Sequence, residues 1–494
     1  MAFAAAQPAA LIPRSGQGCA MTEADVKETD MAQDDAAAAR KRSIYTFGIA
    51  FIASVGGFLF GYDLSIIGAA NLFLREQFHL SNQMFGFTTA SAALGCIVGP
   101  FVGAWLCDAI GRERTMIVAS FILAVGATMT ALAQDIVVFN AFRILCGVAV
   151  GLCSIASPMY IAEVAPSRRR GRLGIMYQLA IVVGSTIAPL AAALLVKILP
   201  DTVSWRWMFG SQMLAVVPFA FLVLILPRSP RWLARQGRFD EALAVLTRVD
   251  GEAYGRRELE EIKESLAQER GGLAELLQPG IRYALLIGLL LAFFNNWTGW
   301  SVIGGYIPML FEMSGETSRF VSIMQYFVTY LFMAILTLVA IGLVDRAGRR
   351  PLWLVASALM AVVTALAGMI FHHHVHGPIV LLVILLCAMP HGLALGPLPW
   401  LMMSEIFPNR IRAKMVAVTT TFLWITIFLG AQLFPLMTAW SEKMIGSPAG
   451  AFWILTFIDV LAFVFGWTML PETKGRTLEA IAASWGKRAE KASS

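Results

Sequence analysis

The pentapeptide Asp108-Ala-Ile-Gly111-Arg112 lies between two uncharged apolar runs, approximately residues 84–107 and 115–133. Nearly the same pattern, Asp345-Arg-Ala-Gly348-Arg349, follows 237 residues later and again separates two apolar runs. Each run has about 20 residues, the length that an α-helix needs to cross the hydrocarbon core of a bilayer. The sequence therefore predicts an all-α membrane protein whose second half repeats the first.

Two further pairs of motifs share almost this spacing. Glu163-x2-Pro166-x3-Arg170 returns as Glu405-x2-Pro408-x3-Arg412, an offset of 242 residues. Pro227-Arg-Ser-Pro230-Arg231 is followed by Pro471-Glu-Thr-Lys-Gly475-Arg476, an offset of 244. Motifs that recur in the same loops predict two parallel six-helix halves, an arrangement that places a substrate site between the halves near the middle of the membrane.

The composition supports a membrane protein and excludes other classes. Hydrophobic side chains make up 58% of the 494 residues and charged ones only 14%, against about 25% charged in soluble domains. A soluble enzyme, a disordered chain and a nucleic-acid-binding domain all fit poorly. The net charge of +6 arises from short basic clusters between long uncharged stretches, as in membrane proteins. We expect no nucleic-acid partner.

The apolar runs predict twelve transmembrane helices. Their approximate spans are 45–68, 84–107, 115–133, 138–159, 172–197, 205–226, 281–310, 320–344, 352–371, 378–404, 412–437 and 447–470.

The chain divides into five predicted parts. Residues 1–42 are Ala-rich and then charged, which predicts a disordered cytoplasmic tail, and no removable signal peptide is expected. Residues 43–226 form the N-terminal half and 281–470 the C-terminal half. The polar segment 227–280 has an amphipathic pattern that predicts a cytoplasmic linker with short surface helices. Residues 471–494 form a cytoplasmic C-terminal tail.

The basic residues of the short loops predict the orientation. Loops after odd-numbered spans carry five Lys and Arg residues, whereas loops after even-numbered spans carry twelve, at positions 112, 114, 168, 169, 170, 172, 346, 349, 350, 410, 412 and 414. By the positive-inside rule, both termini are cytoplasmic. We expect a multi-pass protein of the cell membrane.

An ordered set of motifs identifies a family. Over about residues 45–480 the chain resembles the major facilitator superfamily, and within it the sugar porter family. The motifs that carry the resemblance are Gly56-Gly-Phe-Leu-Phe-Gly-Tyr62-Asp63, Gly103 to Arg112, Arg143 with Gly147 and Gly151, Pro158-x-Tyr160-Ile-Ala-Glu163, Pro227-x-Ser-Pro-Arg-Trp-Leu233, Gly396-Pro-Leu-Pro-Trp400 and Pro471-Glu-Thr-Lys-Gly-Arg476.

Asp63 is the candidate proton-coupling residue. It lies within the first span, and an ionised carboxylate at the centre of such a span costs roughly 2.5–3.5 kcal/mol to insert. Arg143 in the fourth span is its natural partner. A carboxylate that alternates between pairing with Arg and taking a proton is a coupling device, and the resemblance implies this role, since the matching Asp takes the proton in symporters of the family. The alternative is a static ion pair that only fixes helix packing.

Eight charged residues lie at predicted cytoplasmic helix ends, at equivalent positions in the two halves. The family resemblance implies ion pairs that hold this side shut when the site faces outward and separate on opening; the alternative is a solvated charge cluster. The residues of this predicted cytoplasmic gate are Asp108, Arg112, Glu163 and Arg170 with their repeats Asp345, Arg349, Glu405 and Arg412.

Two charges depart from the family pattern. Glu113 stands where the family usually has a basic residue after Gly-Arg, and Arg228 stands where it usually has Glu. Either the two residues form a charge-swapped pair, or two unrelated surface changes coincide.

The resemblance also implies a substrate pocket. Sugar hydroxyls need side chains that both donate and accept hydrogen bonds. The chain keeps Gln178, but it has Asn295 and Asn296 where the family has two Gln, and Ser301 where the family has Asn. Trp400 offers a flat apolar surface, and Trp424 lies in the eleventh span. We expect a polyhydroxylated ligand that is bulkier or less densely hydroxylated than glucose.

Other polar residues carry weaker signals. His391 in the tenth span either lines the pathway or hydrogen-bonds a neighbouring helix. Asp459 in the last span either serves transport or pairs across the bundle. The cluster His372-His373-His374-x-His376 is typical of a loop, and we expect neither a metal site nor a cofactor.

The sequence thus predicts a secondary active transporter that imports a sugar, polyol or related small molecule with a proton by alternating access, as a monomer. A passive uniporter of the same substrates is one alternative. A non-transporting membrane nutrient sensor is another. An enzyme is not expected, because no nucleophile, base and orienting group occur at a motif spacing and no Gly-rich phosphate loop follows a strand.

Overall fold

The computed structural model describes residues 23–166, 168–268, 279–407 and 411–474. Within these ranges the regular structure is helical. The first ten α-helices are α1 (Glu23–Gln77), α2 (Asn82–Ile110), α3 (Arg112–Leu132), α4 (Ile136–Val164), α5 (Arg170–Ile198), α6 (Asp201–Gly210), α7 (Met213–Val223), α8 (Pro230–Arg235), α9 (Phe239–Asp250) and α10 (Glu252–Gln268). The others are α11 (Pro279–Trp297), α12 (Trp300–Ile303), α13 (Ile307–Met313), α14 (Arg319–Ala347), α15 (Arg349–His372), α16 (Pro378–Pro390), α17 (Pro397–Glu405), α18 (Arg412–Ile445) and α19 (Ala449–Thr468).

The helices make twelve membrane-spanning units. Eleven helical segments of the described residues are long and apolar enough to cross a bilayer. The twelfth unit is a pair of shorter segments, Ile281–Trp297 and Trp300–Met313, that meet at an angle of 47°. The predicted twelve spans are thereby confirmed.

The seventh span departs from the sequence prediction of one continuous helix over residues 281–310. It breaks at Gly299, whose φ of +89° lies in the left-handed region that glycine adopts without strain. A Cβ added at this position would lie 3.2 Å from Cγ2 of Thr364 in α15. The break therefore needs both the freedom and the small size of glycine.

Within each half, pairs of helices pack closely together. In the first half α1 packs against α5 and α2 against α4. The α2–α4 contact is very close, because a Cβ added at Gly147 would lie only 1.9 Å from the carbonyl oxygen of Ala92. In the second half α15 packs against α19 and α11 against α18. The halves meet where α2 contacts α18 and where α5 contacts α14.

Three helices follow the first half, within the segment predicted to be a linker. α8, α9 and α10 share a small apolar cluster that includes Trp232, Leu246 and Tyr254. Residues 269–278, which belong to the same predicted segment, lie outside the described residues.

The N-terminal segment differs from the sequence prediction. α1 begins at Glu23, so residues 23–42 are helical rather than disordered, while residues 1–22 lie outside the described ranges. Alanine, which is frequent in this segment, has the highest helix propensity. The C-terminal tail is described only as far as Lys474.

Candidate functional site

The first and fourth spans bring Asp63 and Arg143 together inside the membrane region. Nη1 of Arg143 lies 2.6 Å from Oδ1 of Asp63, and Nη2 donates to the backbone oxygen of Asp63 at 3.2 Å. The two side chains are 0% and 1% exposed. The guanidinium also lies 5.2 Å from the ring centre of Phe209. The buried pair that the sequence predicts therefore forms.

A residue that the sequence prediction omitted completes this group. Gln212 follows α6 and donates from Nε2 to Oδ1 of Asp63 at 3.0 Å. It is a polar residue of the sixth predicted span, but it lies outside the quoted motifs, and the sequence did not indicate its partner.

The two carboxylate oxygens of Asp63 have different surroundings. Oδ1 receives both the Arg143 and the Gln212 hydrogen bonds, whereas the buried Oδ2 has no hydrogen-bond partner among the described residues. An unpartnered buried carboxylate oxygen is costly, because desolvation is not compensated. A proton on Oδ2 would remove the negative charge and leave the donors at Oδ1 in place.

We call the end of the bundle that carries the repeated motifs the motif end. In the first half, Nη2 of Arg112 lies 2.8 Å from Oε1 of Glu163, and Nη1 lies 3.8 Å from Asp108. Ser229 donates to Oε2 of Glu163 at 2.5 Å. Arg170 instead pairs with Glu258 of α10 at 3.2 Å. Three of the four predicted gate residues of this half thus share one cluster.

The second half repeats this cluster. Nη2 of Arg349 lies 2.9 Å from Oε1 of Glu405, and Thr473 donates to Oε2 at 2.5 Å. Arg412 donates to the backbone oxygen of Phe407 at 3.2 Å. The side chain of Asp345 lies outside the described residues.

The hydroxyl residues Ser229 and Thr473 were not predicted as gate residues. Both lie in the third pair of repeated motifs and share its offset of 244 residues. That offset is the signal by which the sequence could have identified them.

The charges of Glu113 and Arg228 are brought together. Nε of Arg228 lies 3.8 Å from Oε1 of Glu113, and the guanidinium lies 4.9 Å from the ring centre of Trp232. The motif offsets place Arg350 and Glu472 at the equivalent positions of the second half. There Glu472 accepts hydrogen bonds from the backbone N–H groups of Arg349 and Arg350, each at 3.1 Å.

The environment of Glu472 lowers its pKa below the ordinary value. Partial burial raises the pKa, but hydrogen bonds from four backbone N–H groups together lower it by more than burial raises it. These donors belong to Lys474, Arg349, Arg350 and Thr473. Two of them form the N-terminus of α15, where a negative charge is favoured.

The halves are joined at the end opposite the motifs. Arg319, at the start of α14, pairs with Asp201 of α6 at 2.7 Å and with Glu76 near the end of α1. Nearby, Nδ2 of Asn71 in α1 donates to the backbone oxygen of Gly305 at 2.8 Å. The Arg112–Glu163 and Arg349–Glu405 pairs, in contrast, each lie within one half. This conformation is closed at the opposite end.

The predicted substrate residues occupy different environments. Gln178 in α5 is exposed, and Trp400 in α17 is 43% exposed. Trp424 in α18 is buried, with its ring 5.6 Å from that of Phe60 in the other half. Its indole N–H has no hydrogen-bond partner in the part of the chain that the structure describes. Trp424 therefore lies at the contact between the halves with an unused donor.

The two asparagines of the seventh span hold neighbouring helices. Nδ2 of Asn295 donates to the backbone oxygens of Leu395 and Gly396, at 2.8 and 3.1 Å. These carbonyls belong to the π-helical turn His391–Leu395 and the residue after it. Nδ2 of Asn296 donates to Oγ1 of Thr426 at 2.9 Å. Oγ of Ser301 donates to the backbone oxygen of Asn295 at 3.5 Å. Substrate binding by these three residues stays a prediction.

The structure also shows the surroundings of His391, Asp459 and the histidine cluster. His391 lies in the π-helical turn with its ring 6.2 Å from Trp300, and Asp459 is buried against Thr364. Of the histidine cluster, His376 donates to the backbone oxygen of Ser314 at 2.7 Å. The part of the chain that the structure describes contains no group of three His, Cys, Asp or Glu side chains that could hold a metal ion.

Comparison with known proteins agrees with this architecture. The family model described as "Sugar (and other) transporter" matches residues 49–485. The arabinose-proton symporter of Bacillus subtilis is 36% identical over 89% of this chain and 95% of that protein. The D-xylose-proton symporter of Escherichia coli is 32% identical over 91% of this chain and 97% of that protein.

Solved structures of the xylose transporter XylE from E. coli are similar throughout. Its inward-open conformation gives a TM-score of 0.79 at 30% identity, covering 89% of this chain and 100% of that one. The proton:xylose symporter bound to 6-bromo-6-deoxy-D-glucose gives a TM-score of 0.75 at 31% identity, covering 90% of this chain and 100% of that one. The chain therefore belongs to the sugar transporter family of the major facilitator superfamily.

Proposed function

We propose that this protein imports a sugar together with a proton by alternating access. The observation that carries the proposal is the asymmetric environment of Asp63, which has two donors at Oδ1 and none at the buried Oδ2. The relatives named as proton symporters of arabinose, xylose and galactose support it.

In the proposed coupling step, Oδ2 of Asp63 takes the proton. Protonation removes the charge attraction to Arg143, which keeps its contacts with the Asp63 backbone oxygen and the Phe209 ring. The relative free energies of the conformations then depend on whether Asp63 is protonated. That dependence is what couples a proton gradient to the movement of the two halves.

The ion pairs at the two ends of the bundle serve as gates. Arg319 closes the opposite end by pairing with Glu76 and Asp201 of the other half. When that end opens, the Arg112–Glu163 and Arg349–Glu405 clusters approach one another and close the motif end. The present conformation is then inward-facing, with the motif end and both chain termini on the cytoplasmic side of the cell membrane. The protein works as a monomer.

The substrate is a polyhydroxylated molecule that contacts Gln178 and Trp400. Gln178 supplies both a donor and an acceptor, and Trp400 supplies an aromatic surface. The Asn295 and Asn296 amides donate to the protein itself, which leaves fewer donors for sugar hydroxyls. We therefore expect selection against unmodified glucose in favour of a sugar or polyol that needs fewer hydrogen bonds.

The experiment is uptake of labelled substrates by the purified protein in liposomes. Pentoses, hexoses, polyols and cyclitols are offered with and without an imposed proton gradient. Accumulation of one class above its external concentration, only with the gradient, is the expected result. Equilibration without accumulation would identify a passive uniporter, and no uptake of any compound would favour a sensor.

A further inference from the structure

A second aspartate lies buried in the membrane region, and no cationic side chain of the described residues pairs with it. Asp459 in α19 is 0% exposed. Its Oδ2 lies 2.8 Å from Oγ1 of Thr364 in α15, and its Oδ1 has no hydrogen-bond partner. Thr456, on α19 itself, extends the cluster through a 3.1 Å contact with the Thr364 hydroxyl.

The charged groups of the neighbouring helices lie away from Asp459. Arg350 of α15 binds the backbone oxygens of Gly466 and Trp467, which lie about two helical turns along α19 from Asp459. His372 of α15 contacts Trp453, nearly two turns in the other direction. α11 contacts α19 through Phe294 and Phe465.

The remaining neighbours supply no positive charge either. α16 contributes the buried thiol of Cys387, and a thiol carries no positive charge. α18 carries its described charged side chains at its ends, at Arg412, Lys414, Glu442 and Lys443. Within the described residues, no cationic side chain pairs with Asp459 in the way that Arg143 pairs with Asp63.

The hydrogen bonds around Asp459 suit a neutral acid. An ionised carboxylate here would be a buried, unpaired charge, which proteins avoid by neutralising the group. The Thr364 hydroxyl donates to Oδ2 of an ionised Asp459 at 2.8 Å, whereas in the protonated carboxyl Oδ2 carries the O–H and Oγ1 of Thr364 accepts it. The Thr364 hydroxyl in turn donates to the backbone oxygen of Met360 at 2.9 Å. Every hydroxyl proton in this arrangement has an acceptor.

We propose that Asp459 is a second proton-binding site, separate from Asp63 and occupied by a proton in this conformation. The site adjoins the break in the seventh span, because Cγ2 of Thr364 lies 3.2 Å from the position of a Cβ added at Gly299. Ionisation of Asp459 would place an unpaired charge beside this break and impede its movement. Sugar exchange therefore requires the proton on Asp459.

Infrared spectroscopy of the full-length protein in lipid tests the protonation directly. At neutral pH the wild type should show a carboxylic-acid C=O band that is absent from Asp459→Asn and present in Asp63→Asn. A spectrum in which Asp459→Asn removes only carboxylate bands would overturn the proposal. This measurement needs no substrate, so it stands even if the proposed sugar transport fails.

Sugar counterflow tests the functional consequence, which rests on the proposed function. In an Asp63→Asn background, exchange should fall about tenfold per pH unit once Asp459 ionises. Adding Asp459→Asn, which cannot ionise, should keep exchange constant over the same alkaline range. Adding Cys387→Ala instead should leave the alkaline loss unchanged.

Two results would contradict this role. An alkaline loss that persists in Asp63→Asn/Asp459→Asn, or one that disappears with Cys387→Ala, would assign the titration to another group. If Asp63→Asn exchanges no sugar at any pH while the wild type does, the same comparison is made with Asp459→Asn alone against the wild type. Absence of exchange in the wild type would contradict the proposed function and leave the infrared result to decide the proton site.

Discussion

Glu113 and Arg228 lie 3.8 Å apart at the motif end of the first half, and their charges are opposite in sign to those of Arg350 and Glu472 at the equivalent positions of the second half. Both oxygens of Glu113 are buried without a hydrogen-bond partner. The Arg228 guanidinium is one of three arginine charges, with those of Arg112 and Arg114, that offset the burial of this carboxylate.

The pair predicts a charge-reversal rescue. Glu113→Arg and Arg228→Glu should each lower transport, because each places like charges together, and the double reversal should restore it. Partly exposed pairs contribute about 0.2–1 kcal/mol, so a loss of a few-fold is expected. Initial uptake rates in liposomes measure it, with Arg257→Glu, at an exposed position of α10, as a control for a change of net charge. Additive losses in the double variant would show that the two residues do not interact.

Arg319 predicts a shift between conformations. Arg319→Gln removes both ion pairs that this residue makes with the other half, which should favour opening of that end by about two- to tenfold. Cysteines are introduced at positions 171 and 346 in a Cys19→Ser background. Spin labels on these cysteines report the distance between the two halves at the motif end. Shorter distances are expected in Arg319→Gln. The exposed cation Lys443 provides the control variant Lys443→Gln, and equal distances in all three proteins would rule out the gate.

Glu472 predicts a pH-dependent stability. Its pKa is lowered from 4.5, since backbone hydrogen bonds outweigh burial. A carboxylate with a lowered pKa stabilises the folded protein above its unfolded pKa, and this contribution is lost as pH falls through the folded value. Glu472→Gln should lower the Tm at neutral pH, and its difference from the wild type should vanish in acid. Glu442→Gln is the control, and a Tm difference that persists in acid would contradict the assignment.

Trp400 and the two asparagines predict how selectivity changes. Loss of a large apolar contact costs about 1.5–3 kcal/mol, so Trp400→Ala should weaken substrate binding at least about tenfold. Asn295→Gln with Asn296→Gln should shift preference toward hexoses, because the longer side chains extend further toward the substrate. Competition assays measure both, and Trp105→Ala, at an exposed position, is the control. Selective transport of unmodified glucose by the wild type would contradict this account of the pocket.

Much of the fold follows from the sequence because hydrophobic length and repeated motifs are long-range signals. The cost of burying Asp63 was enough to identify Arg143 as its partner, although 80 residues separate them. The break at Gly299 was not predicted, since a single glycine in an apolar run does not show whether the helix continues or bends at that position.

Part of the site depends on breaks and π-helical turns in the spans, which cannot be recognised from amino-acid composition. Asn295 donates to carbonyls at and beside a π-helical turn of another span, and Gln212 reaches Asp63 from the residue before α7. Both contacts require the three-dimensional positions of broken helices. The sequence could identify these amides as polar groups in the membrane, but not their partners.

The most direct test of the central claim is sugar-driven proton movement in liposomes that contain an internal pH dye, with the wild type compared with Asp63→Asn. The account predicts that adding a transported sugar changes the internal pH for the wild type. It also predicts that Asp63→Asn produces no such change while it still exchanges labelled sugar in counterflow. Sugar-dependent proton movement that persists in Asp63→Asn would contradict the assignment of Asp63 as the coupling residue.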